Sequence, residues 1–314
     1  MLELVMVIVI LGIVSSIGSS IIANVYENYL LQRATQRASL KTELAAQQIA
    51  NLLTHRIPNT TIARNPNDWT DNIYIYDPTV PSDENHTAIE WIGEDYDSFS
   101  ATAKPGWSGF CDVNASNQNK IITPASRLTK AFTTMHNLGL ATTSYPAIFF
   151  RHNLYSKEGG VDVIYNALSD GINAACLGLV DNNRACISSV SQHNTSNRRL
   201  DFQWEGSTSK KVIAEHYKLA WTAYAIVPFH PHTNTVCAEG ESPCDLKLLY
   251  NYQPWEGERL DNSLATISKA TIITNVSVFK FAESGNTLRF KLCAQEDIGE
   301  SYKITICKEK AIIR

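Results

Sequence analysis

From Leu4 to Val14 every position is apolar or glycine, and after Ser15 and Ser16 the apolar character resumes through Ile17, Ile21, Ile22 and Ala23. Leu4 to Ala23 is twenty residues. At the rise of an α-helix they cover about 30 Å, the hydrocarbon thickness of one bilayer. Leu4, Val5, Ile8, Leu11, Ile13 and Ile22 all belong to this predicted membrane helix. The one charge at its edge is Glu3, and the first Lys or Arg is Arg33. A secretory signal peptide has a basic start and a shorter apolar core. The run therefore predicts a retained membrane helix. The lack of cations beyond it predicts that the C-terminal part is translocated.

Past the apolar run the pattern changes but the helix does not stop. Leu31, Ala34, Ala38, Ala45, Ile49 and Leu52 recur at spacings of three, four and seven, which predicts an amphipathic helix with one buried stripe. Arg33, Arg37 and Lys41 step by four along another face. That face is expected to meet solvent or the acidic residues of a neighbouring subunit. No Pro or Gly occurs between Gly18 and Pro58, and Pro58 stops the helix at or before Ile57. The prediction is one helix about 80 Å long at the standard rise, its first half suited to lipid and its second half to a packed domain.

The remainder reads as a mixed domain. Residues 59–72, with Asn59, Asn65, Pro66 and Asn67, are expected to form a polar loop. Ile73 to Tyr76, Ala88 to Ile92, Ala147 to Phe150 and Trp221 to Val227 are strand-like. A short helix is expected over 128–140. The end predicts three antiparallel strands, Ala270 to Phe281, Thr287 to Ala294 and Tyr302 to Cys307, with a turn at Glu283-Ser284-Gly285-Asn286. No internal repeat and no clear second domain is visible, so the chain divides into a helix over 1–57 and a head over 58–314.

Composition narrows the function classes. In 314 residues, 44% are hydrophobic and 18% charged, which excludes a disordered chain. The net charge of -4 gives no reason to expect nucleic acid as a partner, although it does not exclude a part in DNA uptake. There is no phosphate-binding loop and no dinucleotide fingerprint. Gly106-Trp107-Ser108-Gly109-Phe110 falls short of a nucleophile elbow because Phe110 stands where the second Gly belongs. His230-Pro231-His232 reads as a surface turn, and Asp95-Tyr96-Asp97 lacks the spaced ligands of a calcium loop. No cofactor, metal or catalytic residue is expected. Seven cysteines all follow residue 110. Their confinement to the translocated part predicts disulfides. Cys176 with Cys186, Cys237 with Cys244, and Cys293 with Cys307 are the close pairs, leaving Cys111 over.

The stretch Leu2-Glu3-Leu4-Val5-Met6-Val7-Ile8-Val9-Ile10-Leu11-Gly12-Ile13 resembles the N-terminus of type IV pilins and type II secretion pseudopilins. In that family a prepilin peptidase cuts after a Gly, and the new start carries two apolar residues, a Glu and a long apolar helix. Glu3 matches the family's glutamate, Leu2 and Met1 the apolar residues before it. The resemblance implies an α+β fold, with the long N-terminal helix packed on an antiparallel β-sheet head that carries irregular insertions. It implies that Glu3 pairs with the N-terminal amine of a neighbouring subunit during assembly. It also implies partners: other pilin-like subunits, an assembly platform protein, a cytoplasmic ATPase and prepilin peptidase. The expected function is a structural subunit, not an enzyme, stored in the bacterial inner membrane with its head in the periplasm. The size points to a minor subunit. The rival expectation is an anchored periplasmic binding or adhesive protein that never polymerises.

Two further expectations follow. The family's Gly, Phe and Thr are missing before Met1, so the natural product is expected to carry a cationic leader and a cleavage site upstream. Asp83 to Thr87 and Asp112 to Ser116 each fit Asp-x-Asn-x-Ser/Thr. This resembles the extended acceptor of bacterial oligosaccharyltransferases and makes Asn85 and Asn114 candidate glycosylation sites.

Overall fold

The computed structural model describes residues 2–57, 60–75, 85–99, 104–117, 119–150, 156–158, 161–162, 177–184, 187–203, 213–238, 240–284, 287–298 and 302–313. Its first element is a single helix, α1 (Leu2–Thr54), of 53 residues. Then come β1 (Ile62–Asn65), β2 (Asp68–Tyr74), β3 (Ala88–Ile92), α2 (Tyr96–Phe99), β4 (Lys120–Ile122) and α3 (Leu128–Leu138). The middle adds β5 (Ala147–Phe150), β6 (Ser156–Glu158), β7 (Val161–Asp162), β8 (Ser188–Gln192), β9 (Arg199–Gln203), β10 (Ile213–Ala214) and β11 (Tyr217–Ala220). The end holds β12 (Ala223–Phe229), β13 (Cys244–Tyr252), α4 (Leu260–Ser263), β14 (Ser268–Ser284), β15 (Thr287–Ile298) and β16 (Tyr302–Ile313). The fold is α+β.

The main sheet has eight strands in the order β16-β15-β14-β13-β12-β3-β1-β2, antiparallel at every junction. A second sheet of five strands runs β11-β5-β8-β9-β4, and β10-β6-β7 form a small third one. Three apolar clusters define the layering. Ala45, Ala46, Ile49 and Leu53 of α1 pack on one face of the main sheet, against Ile89, Trp91, Ile226, Phe279, Phe290 and Ile312. Ala88, Ile92, Ala225 and Val227 on its other face meet Ala147 and Phe149 of the second sheet. The far side of that sheet, with Ile148, Val190 and Leu219, is covered by Leu128, Ala131 and Met135 of α3. The order is helix, sheet, sheet, helix. Strands β3 and β12 lie between covered faces, which is why both read as nearly unbroken apolar runs.

Several expectations are corrected here. Residues 60–72 are not a polar loop. They hold β1 and most of β2, paired as a hairpin around Pro66-Asn67. Ile62 and Ala63 sit in the core, and Arg64 is buried because Glu90 neutralises it. The buried helix stripe runs through Ala38, Thr42, Ala45, Ala46, Ile49 and Leu53; Leu31 is exposed and Leu53 leads where Leu52 was expected. Small residues at four of these six positions let the helix lie close to the sheet. The middle is more regular than its Asn- and Ser-rich sequence implies, since it contributes the second sheet and α3. The terminal strands are longer than expected. β14 extends through Ser284, so Glu283 and Ser284 are strand rather than turn.

β14 serves two neighbours in turn. Ser268 to Val276 pair with β13 and Val276 to Ser284 with β15. The change occurs beside Asn275, whose φ of 59° is left-handed and whose N–H donates to Asp245 Oδ1 at 3.1 Å. Asn tolerates that conformation better than most residues. The result is a three-stranded wing of late β14, β15 and β16. One face of the wing lies under α1 and the other is open.

Two buried ion pairs lock the layers. Arg64 Nε donates to Glu90 Oε2 at 2.7 Å. Its other nitrogens reach the carbonyls of Trp69 and Leu179, and Tyr252 Oη donates to Glu90 Oε1 at 2.9 Å. Burial and the neighbouring Glu90 hold the Tyr252 phenol well above its ordinary pKa. At the end of α1, Arg56 donates to the Leu53 carbonyl and to Glu283 Oε1 at 2.8 Å, pinning the helix terminus to the wing.

Candidate functional site

The feature that sets this chain apart is the free half of α1. Leu4, Val5, Ile8, Leu11, Ile13 and Ile22 are 69, 60, 62, 64, 56 and 71% exposed. These are values for side chains with nothing against them, all round the helix. A run of this length and apolarity is suited to lipid rather than to water. Among the described residues this is the one helix long and apolar enough to cross a membrane. Glu3 lies in its first turn, where a carboxylate also complements the positive end of the helix dipole. Between Glu3 and Glu27 no residue is charged. Exposed Tyr26 and Tyr29 close the run; aromatic side chains at the end of an apolar helix favour a membrane interface. Sequence reasoning passed over both tyrosines, although their place at the end of an apolar run was the signal.

The second half of α1 is built into the head. Its ties to the wing are ionic as well as apolar. Glu43 faces Lys310 at 2.5 Å and Lys308 at 3.5 Å, and the Lys310 hydrogen bond holds its carboxyl below the usual range. Arg37 and Lys41 approach Glu296 of β15 at 3.9 and 3.8 Å, and Lys41 Nζ donates to Thr274 Oγ1 at 2.8 Å. This corrects the reading of the row as wholly solvated or subunit-facing for Lys41, which serves its own head; Arg37 stays three-quarters exposed, as expected. Arg33 alone of the three is exposed without such a contact. On the opposite side of the same stretch, Leu40 and Leu44 are 66 and 70% exposed. The apolar surface of α1 thus continues beyond the membrane length, on the face turned away from the sheet.

The cysteines divide as follows. Cys237 is bonded to Cys244 and Cys293 to Cys307. Cys176 and Cys186 lie outside the described residues. Cys111 is a buried free thiol beside Ser116 Oγ at 3.4 Å, and burial pushes its pKa up to about 11. A thiol so placed is inert. Cys293 and Cys307 stand directly opposite one another in the β15–β16 register, which staples the wing.

The remaining candidates are placed without convergence. Asn114 is exposed in a turn that Asp112 caps through the Ala115 N–H, whereas Asn85 is half-buried ahead of β3. Ser108 Oγ donates to the Phe110 carbonyl. The glycine before it is needed for close approach, since a Cβ at Gly106 would lie 2.3 Å from the Ser98 carbonyl. His230 Nε2 lies 3.2 Å from Glu241, and its Nδ1 accepts the N–H groups of His232 and Thr233, so this segment is a self-bonded turn. Among the described residues no three His, Cys, Asp or Glu side chains gather as a metal site would require. Asp95 is buried where the second sheet joins the first. It accepts from the Ser98 N–H, the Ser98 hydroxyl and Trp107 Nε1. Desolvation nevertheless raises its pKa to about 7, with Asp97 and Glu94 adding repulsion.

No known protein family, curated protein or solved structure matches this chain.

Proposed function

We propose that the chain is a pilin-like structural subunit, a minor pilin or pseudopilin, held in a bacterial inner membrane by α1 and drawn from there into a pilus or pseudopilus. The observation that carries this reading is one continuous helix divided by environment. Its first half is exposed and apolar all round, and its second half is locked into the head by core side chains and ion pairs. A simple anchor needs no rigid coupling of this kind; a flexible linker between membrane and head suffices. Rigid coupling transmits the position of the membrane half to the head, as a helically stacked subunit requires. Exposed Leu40 and Leu44 extend the helical surface open to neighbouring subunits.

Glu3 is the assembly residue in this reading. Buried among stacked apolar helices, its carboxylate is costly unless neutralised, and a neighbour's N-terminal amine neutralises it. The head lies in the periplasm, where the two disulfides persist. The layered head is bulky, which suits a subunit used in few copies. The partners are other pilin-like subunits, the assembly platform and prepilin peptidase.

The test is Glu3→Ala in the native host. The variant should insert in the membrane as before, because its helix is more apolar, and should be absent from sheared filaments. Normal incorporation removes the role given to Glu3. Full function after replacing residues 2–26 with an unrelated membrane helix shows an anchored, non-polymerising protein instead.

A further inference from the structure

The main sheet ends in two edge strands, β2 and β16, and they are built differently. β2 is seven residues long, and its pairing with β1 shifts between Arg64 and Asn65. The Thr70 N–H donates to Asp68 Oδ1 at 3.0 Å, and the Thr70 carbonyl accepts from Asn72 Nδ2 at 2.9 Å, so side chains of the strand itself occupy its backbone groups. A short, bulged, self-bonded edge resists stray pairing. β16 has none of these guards. It is twelve residues long, contains no Pro and pairs with β15 without a shift from Tyr302 to Ile313.

The register shows which backbone groups of β16 are open. In an antiparallel ladder, opposed residues alternate between hydrogen-bonded pairs, about 5.5 Å apart at Cα, and non-hydrogen-bonded pairs, about 4.5 Å apart. Cys293 and Cys307 stand opposite each other with a Cα separation of 4.0 Å, which is the second kind. The Cys293 carbonyl agrees, since it turns towards β14 and accepts from Ser277 Oγ. The N–H and C=O of Cys307 therefore point away from β15. Those of Lys303, Thr305, Glu309, Ala311 and Ile313 do the same, being in phase with it. Among the described residues none bonds these groups.

Such a row of alternating donors and acceptors is matched by another extended backbone. The side chains say what that backbone carries. On the face under α1 the row reads Ile304, Ile306, Lys308 and Lys310. Both isoleucines are half-buried, so apolar surface is left for a further strand to cover. The two ammonium groups share one carboxylate, Glu43, which leaves a positive charge over. A second copy of this chain is a poor occupant. Its β2 edge is self-bonded. Antiparallel pairing of two β16 edges points the two α1 helices in opposite directions, so that one membrane cannot hold both; this step rests on the membrane reading above. We propose that β16 is a docking edge for an extended segment of a different protein. The segment adds antiparallel beyond β16, with an acidic residue opposite Lys308 and apolar residues opposite Ile306 and Ile304.

The experiment uses the full chain in detergent micelles and an end-blocked probe peptide with this pattern, Thr-Thr-Glu-Thr-Val-Thr-Val-Thr. A control peptide has Lys in place of Glu. Binding is followed by calorimetry and by hydrogen exchange resolved to single residues. The Glu peptide should bind and slow exchange at least tenfold at the amides of Thr305, Cys307 and Glu309. The amides of Ile304, Ile306 and Lys308 face β15 and should be protected already, and those of β2 should not change. Thr305→Pro should weaken binding at least tenfold and keep the fold, since Pro is tolerated at an edge where its N–H would face solvent. Near-ultraviolet circular dichroism checks that fold, and the exchange pattern of the native chain decides should the variant unfold. Lys308→Gln should weaken binding severalfold. Absence of binding and of slowed exchange overturns the proposal, as does native-like binding by folded Thr305→Pro. Equal binding of the Lys peptide overturns the acidic partner. A dimer of the chain alone that Thr305→Pro dissolves shows that a second copy takes the edge, and overturns the assignment to a different protein. Incorporation of Glu3→Ala into filaments would leave these outcomes untouched, so the two readings fail separately.

Discussion

Replacing Ile49 by Ala tests whether the second half of α1 is part of the head. Ile49 is fully buried in the cluster that also holds Leu53, Trp91 and Phe279. The substitution removes three carbon atoms at about 0.8 kcal/mol each, about 2.4 kcal/mol in transfer terms. The vacated space adds a cavity term, which places the expected loss at about 3 kcal/mol within the usual range of about 2–5. The proper comparison is Leu44→Ala, five residues earlier on the same helix and 70% exposed. With no packing to lose, it should change stability by less than about 0.5 kcal/mol. Both variants are unfolded with denaturant as full chains in micelles, followed by tryptophan fluorescence, because Trp91 lies in the same cluster. Membrane insertion should be unaffected in both, since neither position belongs to the lipid half. Equal midpoints for the two variants would falsify the claim that the sheet, rather than helix propensity, holds this segment. A reversed order would place the packed face on the wrong side of the helix.

Glu90→Gln should cost about 3–5 kcal/mol, because Arg64 is left charged and buried without its partner; thermal unfolding measures it, and a loss below that of Tyr252→Phe contradicts the assignment. Asp95 predicts a pH dependence of unusual sign. Its folded pKa of about 7 lies above the unfolded value of about 3.9, so the folded state holds the proton more tightly. Stability is therefore highest below about pH 4 as far as this group is concerned, and falls by up to about 4 kcal/mol as pH rises towards 7. Asp95→Asn should flatten that slope in denaturation curves taken between those pH values; an unchanged slope assigns it to other groups. Non-reducing peptide mapping should link Cys237 to Cys244 and Cys293 to Cys307, with Cys111 alkylated only after unfolding. Removing the Cys293–Cys307 link should cost about 3 kcal/mol for a loop of this length, and free thiols at all four positions would contradict the pairing.

What the sequence by itself determined is whatever depends on local order. The apolar half of α1 was legible because composition alone decides it: Leu4 to Ala23 need no partner in the chain to be apolar. The uninterrupted helix was legible from the absence of Pro and Gly, and β3, β5 and the terminal strands from runs of strand formers between turns. The Cys237–Cys244 and Cys293–Cys307 pairs were legible because they are close in sequence.

What only the tertiary structure decided depends on partners far away in the chain. β1 looked like a polar loop because Asn59, Asn65, Pro66 and Asn67 surround it; Glu90, 26 residues on, is what allows its Arg64 into the core. Lys41 looked like part of a solvated row because Thr274 and Glu296 lie more than two hundred residues away. The buried stripe includes Leu53 rather than Leu52 because Ala38, Thr42, Ala45, Ala46 and Ile49 lie on the side of α1 that is covered by the sheet. The cross-strand rows on the open face of the wing could not be foreseen at all. Alternation along β15 says that Arg289 and Lys291 share a face, but only the register with β14 and β16 brings Lys280, Glu309, Ala282 and Ala311 beside them. Periodicity is a property of one segment and survives in sequence; a constellation belongs to several segments and exists only once the sheet has chosen its register.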